Sequence, residues 1–553
     1  MTNSEHAFDL VIAGSGGGGI LTALVAHHHG LKPLIIEKSK YFGGTTARSG
    51  GVLWVPQNRF MKEIGVSDSE KEARDYMDQM VKGRSSQAMQ DAFVEWAPKL
   101  IDFLETHTSV RLQSMPGYPD YYPALPGGKD GGRCMEARVY NSKKLGREVE
   151  DMNPSIWELS KKFRMTGNEF HKIAMAQTSW AGKWTVMKVG LRMVLDLLPW
   201  RKHLSMGQAL AAMLRKSLKV ADIPLLLETP IVGLIEEDGR VVGVKAKKEG
   251  RVIEYRANKG VMLATGGFPH NAEMRKQYHP ASSNAAWSLA HKGNTGDGIR
   301  LAEQNGAALD LMEDAWWGPM SINPNGVPFF HISERALPGT IMVNKAGKRF
   351  INEALAYTEM IHIIHDLHAK GDEVVPCYFI YDHTARKNYA FGLMRAGKPG
   401  KEYLDAGYVV QADSLEALAE KMGIQADNLK ATVQAYNKMA ETGKDTDFQK
   451  GDSVYDRRFG DPSVQPNPCM APILKPPFYC SLLYPGDIGT KGGILTDELG
   501  RALREDHSVI DGLYACGNTT ASVMGHSYPG AGATIAAAMT FGMIAARHMA
   551  GKS

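Results

Sequence analysis

The stretch Val11-Ile12-Ala13-Gly14-Ser15-Gly16-Gly17-Gly18-Gly19, with Glu37 beyond it, constrains this chain more than any other. Leu10 to Ile12 has the unbroken apolar character of a strand buried on both faces. A helix is expected from Ile20 to His29. Gly14-x-Gly16-x-x-Gly19 joins the two. Gly14 permits the turn, Gly16 lets a pyrophosphate approach the main chain, and Gly19 lets the helix pack on the sheet. The helix N-terminus offers N–H groups and the positive end of its dipole to the phosphates. Leu34-Ile35-Ile36 predicts a second strand. Glu37 at its end stands where an acid binds a ribose hydroxyl, about twenty residues beyond the glycines. Strand, glycines, helix, strand and acid in that order predict a parallel α/β sheet holding a dinucleotide rather than a glycine-rich surface loop.

At 553 residues the chain is too long for one ordinary core, so two domains are expected. Its 43% apolar and 22% charged residues are those of a soluble globular protein. No stretch reaches the roughly 18 uninterrupted apolar residues of a membrane span. A net charge of +4 is too small for a protein built to bind nucleic acid. The cysteines Cys134, Cys377, Cys469, Cys480 and Cys516 form no CxxC and no metal-ligand spacing. Successive positions His27-His28-His29 point three ways on a helix. No metal is therefore expected. An odd cysteine count in a large chain fits a reducing cytoplasmic compartment. Met1 to Phe8 is polar, and we expect no signal peptide before the first strand.

Further along, Gly43-Gly44-Thr45-Thr46-Ala47-Arg48-Ser49-Gly50-Gly51 suits a loop lying against a planar ring and a phosphate. Val52 to Val55 resumes a strand, and residues 66 to 108 have helical spacing. Tyr118-Pro119-Asp120-Tyr121-Tyr122-Pro123 is held extended or turning by its prolines. Lys183 to His203 sets apolar residues between Trp184 and Trp200, with Lys183, Lys188, Arg192, Arg201 and Lys202 mixed in. An interfacial helix has this composition; a helix packed on its own protein also accommodates it. Ile231 to Val244 alternates around Asp238-Gly239, a hairpin signal. Val261 to Gly267 is expected to return to the first sheet, as are Gly492 to Asp497 and Leu513 to Asn518. Gly296-Asp297-Gly298 opens a helix toward Gly306. Ile341 to Asn344 predicts a strand, 412 to 442 helices, and Ala533 to Met549 the last helix.

The order of these motifs resembles the FAD-dependent fumarate reductase/succinate dehydrogenase flavoprotein superfamily. The resemblance rests on the N-terminal glycines, Ala264-Thr265-Gly266-Gly267, Gly296-Asp297-Gly298, Arg349-Phe350-Ile351-Asn352-Glu353, Thr490-Lys491-Gly492-Gly493 and Leu513-Tyr514-Ala515-Cys516-Gly517. It implies FAD as cofactor and an α/β fold: a Rossmann-like FAD-binding domain interrupted by an α+β catalytic (capping) domain. The expected division is 1–312 and 488–553 for the FAD domain and 313–487 for the cap. The expected FAD contacts are Gly14, Gly16, Gly19, Glu37, Gly43, Gly44, Thr45, Thr46, Ser49, Gly50, Gly51, Ala264, Thr265, Gly266, Asp297, Gly517, Asn518, Gly532 and Ala533.

The departures from the dicarboxylate branch are informative. Its proton-donating arginine, its carboxylate-binding histidine and its last-loop arginine are replaced here by Tyr357, Gly489 and Tyr528. Arginine forks hold carboxylates bidentately, so their loss predicts a neutral, apolar substrate bearing a carbonyl. Tyr118 to Tyr122, Tyr357 and Ser527-Tyr528-Pro529-Gly530-Ala531-Gly532 are similar to the 3-ketosteroid Δ1-dehydrogenase (3-oxosteroid 1-dehydrogenase) branch. That resemblance implies removal of hydrogen across C1–C2 of a 3-ketosteroid. Tyr528 and the Gly532 N–H would hold the C3 carbonyl, Tyr357 would take the C2 proton with Tyr121 as partner, and the C1 hydride would pass to flavin N5. An electron acceptor, a quinone or another oxidant, is then needed. Two rivals remain at this point: a 3-ketosteroid Δ4-(5α)-dehydrogenase or related enone enzyme, and a flavin electron-transfer subunit of a membrane complex. Residues 183–203 are expected to rest on the inner face of the cell membrane and feed apolar substrate to the site. Cys516 and His526 are expected to be structural, or flavin-contacting in the case of His526.

Overall fold

The computed structural model describes residues 7–155, 165–198 and 200–552. Met1 to His6 of the expected polar leader and Pro199 of the 183–203 segment lie outside them. The strand Ala7–Ala13 is the axis of the first sheet. It pairs in parallel with Pro33–Ile36 on one side and with the end of Arg251–Leu263 on the other, Val11 facing Leu34 and Val261. Beyond these lie Leu225–Leu226 at one edge, and Val509–Ala515 then antiparallel Arg501–Leu503 at the other. Val11, Ile12, Ile35, Val261 and Leu513 are fully buried, as continuous apolar strands of a covered parallel sheet must be. The hairpin around Asp238-Gly239 forms, Ile231–Glu237 against Arg240–Lys248. Both turn residues have positive φ, the geometry that matches strand twist.

The first helix is Gly17–His28, three residues earlier than apolar spacing suggests. Its glycine start serves packing: a Cβ on Gly18 would lie 2.9 Å from the Ala538 carbonyl of the C-terminal helix Ala533–Met549. A Cβ on Gly542 would lie 2.9 Å from the Gly18 carbonyl, so the two helices touch through their main chains.

The second sheet is antiparallel, in the order Pro328–Phe330, Ala315–Ile322, Phe478–Thr490, Cys377–Tyr381, Thr340–Val343, with Val410–Ala412 beside Phe478–Thr490. Helix Tyr357–Ala369 packs on one face and helices Leu415–Met422 and Ala426–Thr442 on the other, each over its own apolar cluster. Two expectations need correction. Residue 487 is inside the strand Phe478–Thr490, so the second sheet runs to Thr490. Gly493–Ile494 does not join the first sheet; it pairs with Leu309–Asp310 in a separate ribbon.

The 183–203 segment is also different in detail. A helix spans Trp180–Leu195 and stops at Asp196, whose carboxylate accepts from the His203 main chain. His203–Leu204 then pairs with Tyr140–Asn141. Gly182, Thr185 and Val189 form the buried stripe of that helix. Its opposite stripe, Trp180, Trp184, Met187, Leu191 and Val194, faces solvent; Trp180 is 84% exposed, Trp184 65% and Leu191 61%.

Candidate active site

One continuous, largely apolar cavity runs from the first glycine loop to the seam between the two sheets. At its inner end a Cβ on Gly14 would meet the Ala264 carbonyl at 2.2 Å, and one on Gly19 would meet the Gly14 carbonyl at 2.1 Å. Both glycines are needed for packing within the protein. Gly16 is different: no protein atom comes within 4 Å of where its Cβ would be. The space in front of it is open cavity, which fits a pyrophosphate lying on the main chain. Thr46 Oγ1 accepts from the Gly17 N–H at 3.1 Å and Thr45 Oγ1 from His291 N and Asn294 Nδ2, which fixes this second loop against the first.

Glu37 is on the cavity wall and nearly buried. Its carboxylate accepts from Ser15 N at 3.0 Å, Ser15 Oγ at 2.8 Å and Ser39 N at 2.9 Å. It therefore braces the glycine turn as well as facing the cavity. Asp297 also reaches the wall, paired with Lys38 and Thr295. Burial alone would raise its pKa, but the Lys38 ammonium outweighs this and the net shift is downward. Gly44, Ser49, Gly50, Gly51, Ala264, Thr265, Gly266, Gly517 and Asn518 line the same cavity. Two expected contacts do not. Gly43 turns the chain at φ +95° against Ala47, and Ala533 is buried as the first residue of the last helix. Lys38, His291, Asn294 and Thr534 line the cavity without having been expected. Lys38 follows Glu37 directly and faces Asp297, a charge pairing that could have been sought.

At the seam the three tyrosines named from sequence come together, all buried. Tyr121 and Tyr357 share a hydrogen bond of 2.6 Å between their hydroxyls. Their rings and that of Tyr528 are mutually edge-packed, with centroids 5.2–5.5 Å apart. The Gly532 N–H donates to the Tyr528 hydroxyl at 3.4 Å. Gly532 has φ +93°, and a Cβ there would lie 2.1 Å from the Val52 carbonyl, so glycine is required. It is also the N-cap of the last helix, whose dipole adds positive potential at that N–H.

Each tyrosine is held by its loop. Tyr121 N donates to the Pro529 carbonyl at 3.0 Å, and so does the Tyr76 hydroxyl at 2.8 Å; this ties the tyrosine-rich loop to the last glycine loop. Asp120 accepts from Trp54 Nε1 and from Arg133, which also forks Asp68. Trp54, Tyr76, Asp120 and Arg133 were not singled out from sequence. Only the double acid partnership of a buried arginine reveals them, and that needs coordinates.

Tyr357 opens helix Tyr357–Ala369. The block before it is structural: Arg349 forks Glu353 and Asp445, and buried Lys450 also reaches Glu353 at 3.3 Å. Arg349 is thus committed to two carboxylates of the protein itself.

Burial pushes the phenols up: Tyr528 to about 12, Tyr121 and Tyr357 well above their ordinary value. Cys516 lines the cavity, but its thiol is also pushed up to about 12 by burial and stays protonated. His526 Nδ1 faces Asp314 at 3.3 Å, and its carbonyl accepts from buried Lys491. It braces the loop of Tyr528 and does not line the cavity.

A family model described as an FAD binding domain matches residues 9–535. The 3-oxosteroid 1-dehydrogenase of Mycobacterium tuberculosis (strain ATCC 25618 / H37Rv) is 43% identical over 98% of this chain and 98% of its own length. That of Mycolicibacterium smegmatis (strain ATCC 700084 / mc(2)155) is 41% identical over 100% of this chain and 98% of its own. Among solved structures, the 3-ketosteroid delta1-dehydrogenase from Sterolibacterium denitrificans in complex with 1,4-androstadiene-3,17-dione matches with a TM-score of 0.94 and 40% identity. The match covers 99% of this chain and 100% of that one.

Proposed function

The chain belongs to the FAD-binding family of 3-oxosteroid 1-dehydrogenases, and we propose from that premise how its own residues carry the reaction. It is an FAD-dependent oxidoreductase that introduces the C1–C2 double bond into ring A of a 3-ketosteroid. The observation that carries the residue assignment is the seam geometry. Two hydrogen-bond donors 3.4 Å apart, Tyr528 and Gly532 N–H, face a directly bonded tyrosine pair, Tyr121 and Tyr357, in one apolar cavity.

The C3 carbonyl oxygen accepts from both donors, which stabilises negative charge there as C2 loses a proton. A phenol whose pKa is pushed up to about 12 remains a donor at neutral pH, as this role requires. Tyr357, as its phenolate, takes the C2 proton and becomes neutral, and the Tyr121 hydroxyl, 2.6 Å away, stabilises the charge that the Tyr357 oxygen carries before that transfer. When bound, FAD supplies the acceptor for the C1 hydride. The glycine loops, Glu37, Thr45, Thr46 and Asp297 would hold it. The apolar seam excludes water from the ring-A end.

The test is anaerobic mixing with 4-androstene-3,17-dione. Flavin bleaching with formation of 1,4-androstadiene-3,17-dione is expected. Absence of bleaching, or a new double bond at C4–C5 only in a saturated substrate, refutes the assignment.

The exposed stripe of helix Trp180–Leu195 supports a second part of the reading, docking on an anionic membrane. Large contiguous apolar patches mark contact surfaces. Here Trp180, Trp184 and 63%-exposed Trp200 are joined by Lys183, Lys188, Arg201 and Lys202. Trp suits the headgroup level, and each nearby Lys or Arg adds about 1 kcal/mol at an anionic surface. Val189, on the buried side of the helix, shares a cluster with Met206 and Phe170, both of which line the cavity. The membrane-facing helix is thus one layer from the substrate's route. No helix among the described residues is long and apolar enough to cross a membrane. Changing Trp184, Leu191, Leu198 and Trp200 to Ser abolishes flotation with anionic liposomes and leaves thermal stability intact if the surface docks. Loss of stability, or a wild type that never floats, refutes docking.

A further inference from the structure

A buried tyrosine is a poor base. Burial, then the facing Tyr528, Tyr118 and Tyr455, push Tyr357 up, and the hydrogen bond from Tyr121 opposes them. Tyr121 is itself pushed up. Proton abstraction at neutral pH needs a positive charge near this cluster. The groups around it are the phenols Tyr118, Tyr121, Tyr455 and Tyr528, the carboxylates Glu334 and Asp456, and the guanidinium groups of Arg335 and Arg458. Glu334 already faces His331 at 3.5 Å. Arg458 lies over the outer Tyr118 ring at 5.9 Å.

Arg335 is fully buried, and its guanidinium donates to four main-chain carbonyls and, at 3.2 Å, to the Met360 sulfur rather than to carboxylates. Nε donates to His331 at 3.0 Å, Nη2 to Ile332 at 3.3 Å, and Nη1 to both Glu353 and Leu355, the latter at 3.1 Å. Glu353 and Leu355 lie four and two residues before Tyr357. The same guanidinium faces the buried Tyr455 hydroxyl, and the Tyr455 ring packs 5.1 Å from Tyr121. Asp456, next to Tyr455, is held by the neutral donors Asn352, Gly451 and Ser453.

We propose that Arg335 is the positioning residue of the proton-transfer step: it clamps the main chain that presents Tyr357 and supplies the buried positive charge against which Tyr357 ionises. Partial charges on four carbonyl oxygens solvate the guanidinium without cancelling it, whereas a carboxylate partner would. A cation so placed favours the charged form of nearby phenols. Glu353 and Asp445 are kept from it by Arg349 and Lys450, which absorb their charge.

The proposal rests on Tyr357 being the base, and the two are tested separately. The measurement is the pH dependence of C2 hydrogen exchange from a 3-ketosteroid into deuterated solvent, on flavin-loaded enzyme. Tyr357→Phe tests the base: persisting exchange at full rate refutes that reading, whatever Arg335 does. Arg335→Gln keeps a donor for the carbonyls and removes the charge. Its exchange rate should fall at least about tenfold at neutral pH and recover as pH rises, each unit of displacement being about tenfold. Arg335→Lys should hold the wild-type profile. Equal loss at every pH in Arg335→Gln, or a Lys variant displaced as far as the Gln variant, reduces Arg335 to a clamp and overturns the proposal. Should Arg335→Gln fail to fold, Asp456→Asn decides. Removing that anion should displace the profile to lower pH, and an unmoved profile overturns the proposal.

Discussion

Replacing Tyr528 with Phe removes one oxygen atom from the seam and little else. The ring is edge-packed by Trp316 at 4.7 Å, Tyr121 at 5.3 Å and Tyr357 at 5.5 Å, and these contacts survive. The hydroxyl accepts from Gly532 N–H, so folding loses about 1 kcal/mol, the usual net worth of a hydrogen bond. Catalysis loses far more. The C3 oxygen keeps the Gly532 N–H at the helix N-terminus but loses its second donor. One such donor is typically worth about 10²–10³ in rate, or about 3–4 kcal/mol of barrier. The assay is stopped-flow reduction of the bound flavin under anaerobic, single-turnover conditions, with flavin content measured first. The expected result is a full complement of FAD, a near-wild-type melting temperature and flavin reduction slowed by about 10²–10³. Flavin reduction within a few-fold of wild type in a fully loaded variant would show that Tyr528 is not a donor to the reacting carbonyl.

Three further outcomes are expected. Tyr357→Phe should abolish C2 exchange while substrate still perturbs the flavin spectrum, since the ring remains; loss of that spectral shift would mean the hydroxyl serves binding. Glu37→Gln should lower FAD occupancy more than the rate of the molecules that retain FAD, because the carboxylate braces Ser15 and faces the cavity; a slow but fully loaded variant contradicts this. Burial acts to raise the pKa of Asp314, but Lys491, His362 and His526 hold it well below its ordinary value of 3.8. A depressed carboxylate stabilises the fold above that ordinary value, and the contribution is lost as pH falls below about 4 toward the folded value. The difference in melting temperature between wild type and Asp314→Asn should therefore be largest near neutrality and shrink below about pH 4; a difference independent of pH excludes this ion pair as its source.

Much of the nucleotide end was legible because it is local. A buried strand, a glycine turn and the acid after the next strand lie within thirty residues, and Gly19 answers to the Gly14 carbonyl five positions away. The hairpin at Asp238-Gly239 was legible for the same reason. Apolar spacing misjudged the start of the first helix, since glycines carry no hydrophobic signal although Gly18 and Gly542 set the helix contact. It also placed a boundary inside Phe478–Thr490, because a strand's pairing partners leave no mark on its own residues.

The sequence by itself determined the dinucleotide unit, the FAD expectation through the order of motifs, and the identity of the tyrosines through their places in those motifs. It also determined that 180–200 is rich in Trp and Lys. Which way that stripe points was decided only by the fold, because Gly182, Thr185 and Val189 took the buried side. The fold likewise decided that Tyr121, Tyr357 and Tyr528 converge, that Arg133 and Asp120 hold their loops, and that Arg335 stands behind Tyr357 without a carboxylate hydrogen-bonded to it. Tyr121 and Tyr357 are 236 positions apart. Residues that distant meet only through the packing of two sheets, and electrostatic character in a protein interior depends on such neighbours rather than on the residue's own type.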